Sequence, residues 1–184
     1  MVLPPIRHVV EGLLPMGMGV LVAKPKLGKS WMVLDLCLAV AQGEPFLGFP
    51  TQQHGTLYLA LEDGKSRMQT RLRRLLEGRP APANMHVMFQ AQRLGEGLLE
   101  MLGEYLDANP DIHLVCIDTL SKIKPKAKPF ENAYDADYDY MGRLKAFADS
   151  RGICVLLVHH TRKSKNPEDS FCLLYTSDAA DDLI

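Results

Sequence analysis

The sequence predicts an α/β fold in which a mostly parallel β-sheet carries helices on both faces. Short, continuously apolar segments alternate along the chain with longer segments whose apolar residues recur at helical spacing. Strands that are apolar throughout are typical of a parallel sheet, because helices cover both of its faces. Several apolar segments end directly in polar or charged residues, so the candidate chemistry is concentrated at those ends.

Length and composition fit one globular domain. The chain has 184 residues, of which 47% are hydrophobic and 23% charged. Its longest apolar stretch, Trp31–Ala41, is interrupted by Asp35 and is far shorter than the roughly 20 residues of a membrane-spanning helix. We therefore expect a cytoplasmic protein with no membrane partner. The cysteines form no C-x-x-C pair and are expected to be buried, and no Cys/His spacing suggests zinc.

Five strands are predicted. Each is a short apolar segment next to turn residues or to a polar segment. In chain order they are Gly19–Ala23, Thr56–Leu61, Met85–Phe89, Ile112–Asp118 and Ile153–Val158.

Four helices are predicted between these strands. The first, Ser30–Gln42, is almost wholly apolar and longer than a strand, so it is expected to be buried, and Gly43 ends it. The other three have an apolar face at spacings of three and four residues. They are predicted over residues 68–76, 98–106 and 134–147.

The segment between the first strand and the first helix carries the most specific motif. It fits the phosphate-binding pattern G-x-x-x-x-G-K-[ST] with alanine in place of the first glycine, in the strand–loop–helix context that the pattern requires. Backbone N–H groups of such a loop converge on phosphate oxygens at the positive end of the helix. Lys29 is expected to reach the β- and γ-phosphates of ATP, and Ser30 to ligate Mg²⁺. The predicted nucleotide-binding residues are Ala23, Lys24, Pro25, Lys26, Leu27, Gly28, Lys29 and Ser30.

Carboxylates stand where two of the apolar strands end. Asp118 closes the fourth strand, at the position where an aspartate holds the Mg²⁺ shell in nucleotide-hydrolysing domains with such a loop. Glu62 and Asp63 follow the second strand, and strand ends of an open α/β sheet face the ligand crevice. A carboxylate there can orient and deprotonate an attacking water, which makes Glu62 a candidate general base. The alternative for this pair is a turn-forming role.

The last predicted strand ends in His159 and His160. Adjacent strand residues point to opposite faces of the sheet, so the two imidazoles are not expected to chelate one metal together. One of them could hydrogen-bond the γ-phosphate or relay its loss to the following loop, and the sequence does not distinguish between the two. The alternative is a histidine with a purely local partner.

Basic residues follow two of the strand ends. Loops of this kind on one edge of a sheet can contact a phosphate backbone, although charge runs are also often simply solvated. The candidate DNA-contacting residues are Lys122, Lys124, Lys126, Arg162 and Lys163.

The order of these motifs, each at a strand end, resembles the RecA-like ATPases, and most closely the RepA-type hexameric replicative DNA helicases of plasmids and phages. The segments LVAKPKLGKSW, LYLALEDG, VCIDTL and LLVHHTRK carry the resemblance, which covers about residues 9–166. It implies a RecA-like P-loop NTPase core that binds ATP and Mg²⁺. It also implies a homo-oligomer, a hexameric ring, with single-stranded DNA in a central channel faced by the loops after Asp118 and His160.

The resemblance carries over to individual residues. An arginine from the neighbouring subunit completes such sites, and no residue of this chain is assigned to it. The matching residues are Lys29 and Ser30 for phosphate and Mg²⁺, Glu62 for the catalytic glutamate, Asp118 for the Mg²⁺-associated aspartate, and His160 or His159 for the γ-phosphate sensor.

The ten residues from Cys172 to Asp181 resemble a translated sequencing-library adapter. We therefore expect residues 172–184 to be a non-native tail. Residues 16–171 are expected to be a RecA-like ATPase domain truncated at its C-terminal end, and residues 1–15 an approach segment. Because such a chain lacks core strands and the partner arginine, we expect it to hydrolyse ATP weakly or not at all.

Three functions are compatible with the sequence. The leading one is an oligomeric ATPase motor acting on DNA, a helicase or replication ATPase. The second is a nucleotide-gated recombination or regulatory ATPase without unwinding activity. The third is a small-molecule kinase, supported only by the arginine-rich helix that contains Arg67, Arg71, Arg73 and Arg74.

Overall fold

A six-stranded sheet forms the centre of the protein in a computed structural model that describes residues 5–125, 133–160 and 171–176. A separate two-stranded hairpin precedes it in the chain. The strands are β1 His8–Val10, β2 Leu14–Pro15, β3 Gly17–Ala23, β4 Gly55–Ala60, β5 Met85–Met88, β6 Ile112–Asp118, β7 Cys154–His160 and β8 Phe171–Thr176. The helices are α1 Lys29–Gln42, α2 Lys65–Leu76, α3 Leu98–Ala108, α4 Leu120–Ile123 and α5 Ala133–Arg151.

The order of strands across the large sheet is β5-β4-β6-β7-β3-β8. The first five of these are parallel, and β8 pairs with β3 in the antiparallel direction. The five parallel strands are the five that the sequence predicts. The predicted fold class, a mostly parallel sheet within an α/β domain, is therefore confirmed.

Two apolar layers cover the sheet, one on each face. On one face, α1, α2 and the β1–β2 hairpin pack on the sheet, with Val33 and Met68 among the buried side chains. On the other face, α3, α4 and α5 supply Leu102, Ile123 and Leu144. The helical spacing of the apolar residues in the sequence places them on the covered side of each helix, and this burial holds the layers together.

The register of the parallel strands brings the predicted site residues to one edge. Ala60 of β4 lies beside Asp118 of β6, and Ala23 of β3 lies beside His160 of β7. Asp118 in turn pairs with Val158, so that the four strand ends are neighbours. This edge is the carboxyl edge of the sheet, where open α/β folds bind their ligands.

Some elements were not predicted. The approach segment contains the β1–β2 hairpin, whose Val9, Val10 and Leu14 are buried against α1. Strands of two or three residues are too short for a period to be visible in the sequence. Helix α4 is a single turn, and β8 covers Phe171–Thr176, which includes the start of the segment predicted to be a non-native tail. Among the described residues, no helix has the length and apolarity to cross a membrane.

Candidate active site

The loop between β3 and α1 encloses the amine of Lys29. The backbone has positive φ at Lys26 (67°) and Gly28 (84°), and Gly28 is the residue from which α1 begins. Lys29 is 3% exposed, and its Nζ donates hydrogen bonds to the carbonyls of Ala23 at 2.7 Å and Lys24 at 2.5 Å. Burial lowers the pKa of Lys29, against the opposing pull of the Asp118 and Glu62 carboxylates. The amine is thus held inside the loop, next to carboxylates.

Asp118 is the buried centre of the site. Its side chain lies at the end of β6, 3% exposed, and its Oδ2 accepts two hydrogen bonds. Ser30 Oγ donates one at 2.6 Å, and the hydroxyl of Tyr58 on β4 donates the other at 2.8 Å. Ser30 and Asp118 thus present hydroxyl and carboxylate oxygens side by side, the donor set that Mg²⁺ prefers. The residues present therefore fit the predicted metal.

Glu62 is held by one contact on each carboxylate oxygen. Thr119 Oγ1 donates to Oε1 at 3.1 Å, and Nε2 of His160 lies 3.4 Å from Oε2. Thr119 also shares a hydrogen bond with Ser121 Oγ at 2.7 Å. Glu62, Asp118 and His160 each offer one ligand atom, and these three atoms lie within 4.8 Å of one another. The ends of three strands thus converge on one small polar volume.

The two histidines at the end of β7 differ in their position. His160 contacts Glu62 and lines the pocket in front of that carboxylate, whereas His159 is not among the lining residues. Nδ1 of His160 is shielded from solvent and has no hydrogen-bond partner among the described residues. Of the two candidates for the γ-phosphate sensor, His160 is therefore the one whose imidazole reaches the polar site.

A pocket of about 410 Å³ opens in front of these groups. It is lined by residues of the loop, by Trp31, Glu62 and His160, by Asp63 before α2, and by Arg67 and Arg71 on α2. Its lining contains the cations Lys26, Lys29, Arg67 and Arg71 and the carboxylates Glu62 and Asp63, so positive charge is in excess. A concave, positively charged pocket at a loop–helix junction is suited to an anion such as a nucleotide polyphosphate.

The basic residues predicted to contact DNA are only partly described. Lys122 lies on α4 and is exposed, and Lys124 follows α4 immediately. The backbone carbonyl of Lys124 accepts a hydrogen bond from Arg93 Nη1 at 2.6 Å. Lys126, Arg162 and Lys163 lie outside the described residues.

Three contributions to the site were missed by sequence reasoning. Tyr58 lies inside an apolar strand and gives no signal that its hydroxyl meets Asp118. Thr119 was not among the predicted site residues, yet it holds Glu62. Arg71 was assigned to a basic helix, but its guanidinium lies 5.5 Å from the ring of Trp31 at the pocket. The spacing of Asp63 and Arg67, four residues apart, is a signal in the sequence for the ion pair that these two residues form.

The fold and the site together define a P-loop ATPase domain with the RecA-like arrangement of its sheet. The chain belongs to the AAA domain family, whose profile matches residues 2–166. Among solved structures, it is similar to one described as an ATPase domain, with a TM-score of 0.60 and 14% sequence identity. That alignment covers 80% of this chain and 58% of the other chain, so this chain spans little more than half of its structural relative. A search of curated proteins found no match.

Proposed function

We propose that this chain is the ATP-binding and ATP-hydrolysing domain of an oligomeric motor that acts on DNA in the cytoplasm, a helicase or replication ATPase of a plasmid, phage or mobile element. The observation that carries the proposal is that the Ser30–Asp118 pair and the Glu62–His160 pair meet at the mouth of the phosphate-binding loop. One ligand atom each of Glu62, Asp118 and His160 lies within 4.8 Å of the others. The similarity of the fold to that of a solved ATPase domain supports the same assignment.

The loop and its helix supply binding of the polyphosphate. Backbone N–H groups of residues 26–30 and the Lys29 amine are the donors available to phosphate oxygens. In this structure Lys29 Nζ is bonded to carbonyls of its own loop, which it exchanges for phosphate oxygens when nucleotide binds. Ser30 and Asp118 would hold Mg²⁺, which would neutralise phosphate charge when bound.

Glu62 supplies the base. Its two oxygens are fixed by Thr119 and His160, so the carboxylate has a defined orientation toward the pocket. A carboxylate in this position orients a water molecule for attack on the terminal phosphorus and accepts its proton. His160 contacts Glu62 and is the last residue of β7, so it can link the state of the phosphate to the chain segment that follows this strand.

The experiment for this proposal is ATP hydrolysis with and without single-stranded DNA. It uses the protein translated from the uninterrupted gene, because we propose that residues 172–184 are a non-native tail and that the 184-residue chain hydrolyses ATP weakly. The expected result is hydrolysis that single-stranded DNA stimulates at low salt, where phosphate contacts are strongest. A Lys29→Ala variant is the matched control and is expected to show neither basal nor stimulated hydrolysis.

A strand-displacement assay on the same protein separates the two leading functions. Unwinding of a tailed duplex supports the helicase. ATP binding and ring assembly without unwinding would instead support the nucleotide-gated recombination or regulatory ATPase. No DNA stimulation at low salt would contradict the helicase proposal. Sedimentation velocity with ATP and Mg²⁺ tests the proposed hexamer.

A further inference from the structure

Helix α2 carries the densest positive charge of the described residues. Its twelve residues include one lysine and four arginines and no acidic residue. These cations are Lys65, Arg67, Arg71, Arg73 and Arg74. Only two of them, Arg67 and Arg71, line the nucleotide pocket.

Asp63 anchors these two arginines. Its side chain is 7% exposed, and each of its carboxylate oxygens accepts one hydrogen bond. Arg67 Nη1 donates to Oδ1 at 3.2 Å, and Arg71 Nη1 donates to Oδ2. The Asp63 carboxylate thus binds two guanidinium groups, and its single negative charge balances only one of their two positive charges. An excess positive charge is fixed at the rim of the pocket.

Arg71 is fixed from a second direction as well. Its guanidinium carbon lies 5.5 Å from the centroid of the Trp31 ring, a distance at which cation and ring attract each other. Its side chain is only 16% exposed, whereas that of Arg67 is 66% exposed. Trp31 directly follows Ser30 at the start of α1, so the stacked pair bridges the two helices that border the pocket.

The anchoring residue also determines which end of the nucleotide Arg71 meets. Arg71 lines the same pocket as Glu62, the proposed base, and Asp63, which holds its guanidinium, directly follows Glu62 in the chain. Both facts favour a position of Arg71 on the hydrolysis side of the pocket. A guanidinium has five N–H donors and matches the geometry of a phosphate group, and the bond to Asp63 uses Nη1. Among the described residues this is the one hydrogen bond of the guanidinium, so its other nitrogens are donors for a terminal phosphate.

We propose that Arg71, positioned by Asp63 and Trp31, is a γ-phosphate-binding residue supplied by the same subunit as the phosphate-binding loop. This inference rests on the proposed function, because it requires ATP in the pocket. It gives the pocket a means to distinguish ATP from ADP before any partner subunit contributes to the site. Asp63 is a positioning residue that acts through Arg71.

The test is calorimetric titration of the 184-residue chain with ATP and with ADP, each with Mg²⁺. For Arg71→Ala, the Kd for ATP is expected to rise about tenfold, which is the effect of losing one hydrogen bond to a charged group. The Kd for ADP is expected to stay at the wild-type value. Asp63→Asn should produce a smaller rise for ATP only. Arg71→Lys, which keeps the charge but loses the planar fork, should fall between wild type and Arg71→Ala.

Arg73→Ala is the matched control, since Arg73 lies on the same helix, is exposed and does not line the pocket. It is expected to bind both nucleotides as the wild type does. Thermal melting without nucleotide identifies any variant that fails to fold. If Arg71→Ala fails to fold, the Kd values of Arg71→Lys for ATP and ADP decide the question. The single tryptophan of the chain, Trp31, gives a second readout through its fluorescence.

The outcomes separate this inference from the function on which it rests. No ATP binding by the wild-type chain would overturn the proposed function and this assignment with it. Wild-type binding together with an unchanged ATP affinity in Arg71→Ala would overturn the assignment of Arg71 alone. Equal losses for ATP and ADP would also overturn it, because they would show that Arg71 supports the shape of the pocket and not the γ-phosphate.

Discussion

The two edges of the parallel sheet use polar residues in different ways. At the carboxyl edge, Ser30 donates a hydrogen bond to Asp118 and His160 contacts Glu62, and the two pairs lie close together beside an open pocket. At the amino edge, His54 precedes β4 and its ring stacks on that of His113 in β6, with centroids 4.2 Å apart. Both edges gather residues from neighbouring strands, and the described residues of the amino edge also form a pocket, lined by Asp107, His113 and Arg151. The difference is that the carboxyl edge places its carboxylates and its histidine beside the phosphate-binding loop.

The amino edge is built for close packing. The amide of Gly55, the first residue of β4, donates to the carbonyl of Asp111 at 2.8 Å. Nε2 of His54 is shielded from solvent and has no hydrogen-bond partner among the described residues. Burial lowers the pKa of His54, and His113 and Arg7 lower it further. Substitutions at this edge should therefore change stability, and substitutions at the carboxyl edge should change binding and turnover.

The largest expected effect is at the carboxyl edge, in Glu62→Gln. A positioned general base contributes roughly 100- to 10,000-fold, so we expect a loss of that order in the rate of ATP hydrolysis with ATP affinity retained. Phosphate release and calorimetry on the protein from the uninterrupted gene measure the two quantities. Glu44→Gln, at an exposed carboxylate paired with Arg79, is the control. An unchanged rate would remove Glu62 from the mechanism.

The next effect is at the amino edge, in Gly55→Ala. The added Cβ would lie 2.5 Å from Oδ2 of Asp111 and 3.1 Å from its backbone carbon, so the Asp111 side chain must move and the backbone beside it must yield slightly. We expect the free energy of unfolding to fall by about 2 kcal/mol. Denaturant titration measures the change.

Gly64→Ala provides the control for this prediction at the other end of the same strand. Gly64 has φ −85°, and a Cβ there meets nothing within 4 Å. Its expected effect on stability is within about 0.5 kcal/mol. Equal losses at Gly55 and Gly64 would contradict the proposed difference between the two edges.

A smaller effect is expected for Tyr58→Phe, which removes only the hydroxyl that meets Asp118. Asp118 keeps the hydrogen bond from Ser30 but loses the one from Tyr58. A hydrogen bond of this kind contributes about 1 kcal/mol to holding the carboxylate in place. We expect the Mg²⁺ concentration at half-saturation of ATP binding to rise roughly fivefold. Tyr105→Phe, whose hydroxyl is bonded to His86, is the control. An Mg²⁺ requirement equal to that of the wild type would show that Tyr58 does not position Asp118.

The smallest effect is the pH dependence that His54 gives to stability. The pKa of His54 is lowered in the folded chain, so the unfolded chain binds the proton first, near its ordinary pKa of about 6.5. The contribution of His54 to stability is full above that pH, falls as the pH decreases through it, and levels off below the folded-state pKa. Denaturant titrations across this range should show a shallower slope in His54→Gln. The same slope in both proteins would exclude His54 as its source.

Much of the fold followed from local sequence patterns. The five parallel strands were predicted because each is a continuous apolar run, as in Ile112–Asp118. The four longer helices were predicted because each is long enough to show an apolar stretch or apolar residues at helical spacing. The β1–β2 hairpin and α4 are too short to show one. The antiparallel position of β8 depends on pairing with β3, a distant segment, which no local pattern encodes.

The candidate site was predictable to the extent that it lies at strand ends. Asp118 and Glu62 were found because a charged residue closes an apolar run. Tyr58 was not, because its ring is part of the buried strand and only its hydroxyl reaches the site. The contact of Arg71 with Trp31 joins two helices, and helical spacing within either of them carries no information about it.

The sequence by itself determined the class of this protein: a phosphate-binding loop between a strand and a helix, with carboxylates and histidines at later strand ends. Parallel strands place all such ends at one edge, so those residues of the site that stand at strand ends followed from chain order alone. Only the tertiary structure decided which atoms meet there. The register that pairs Ala60 with Asp118 and Ala23 with His160 sets which face each side chain takes, and a shift of one residue would reverse it.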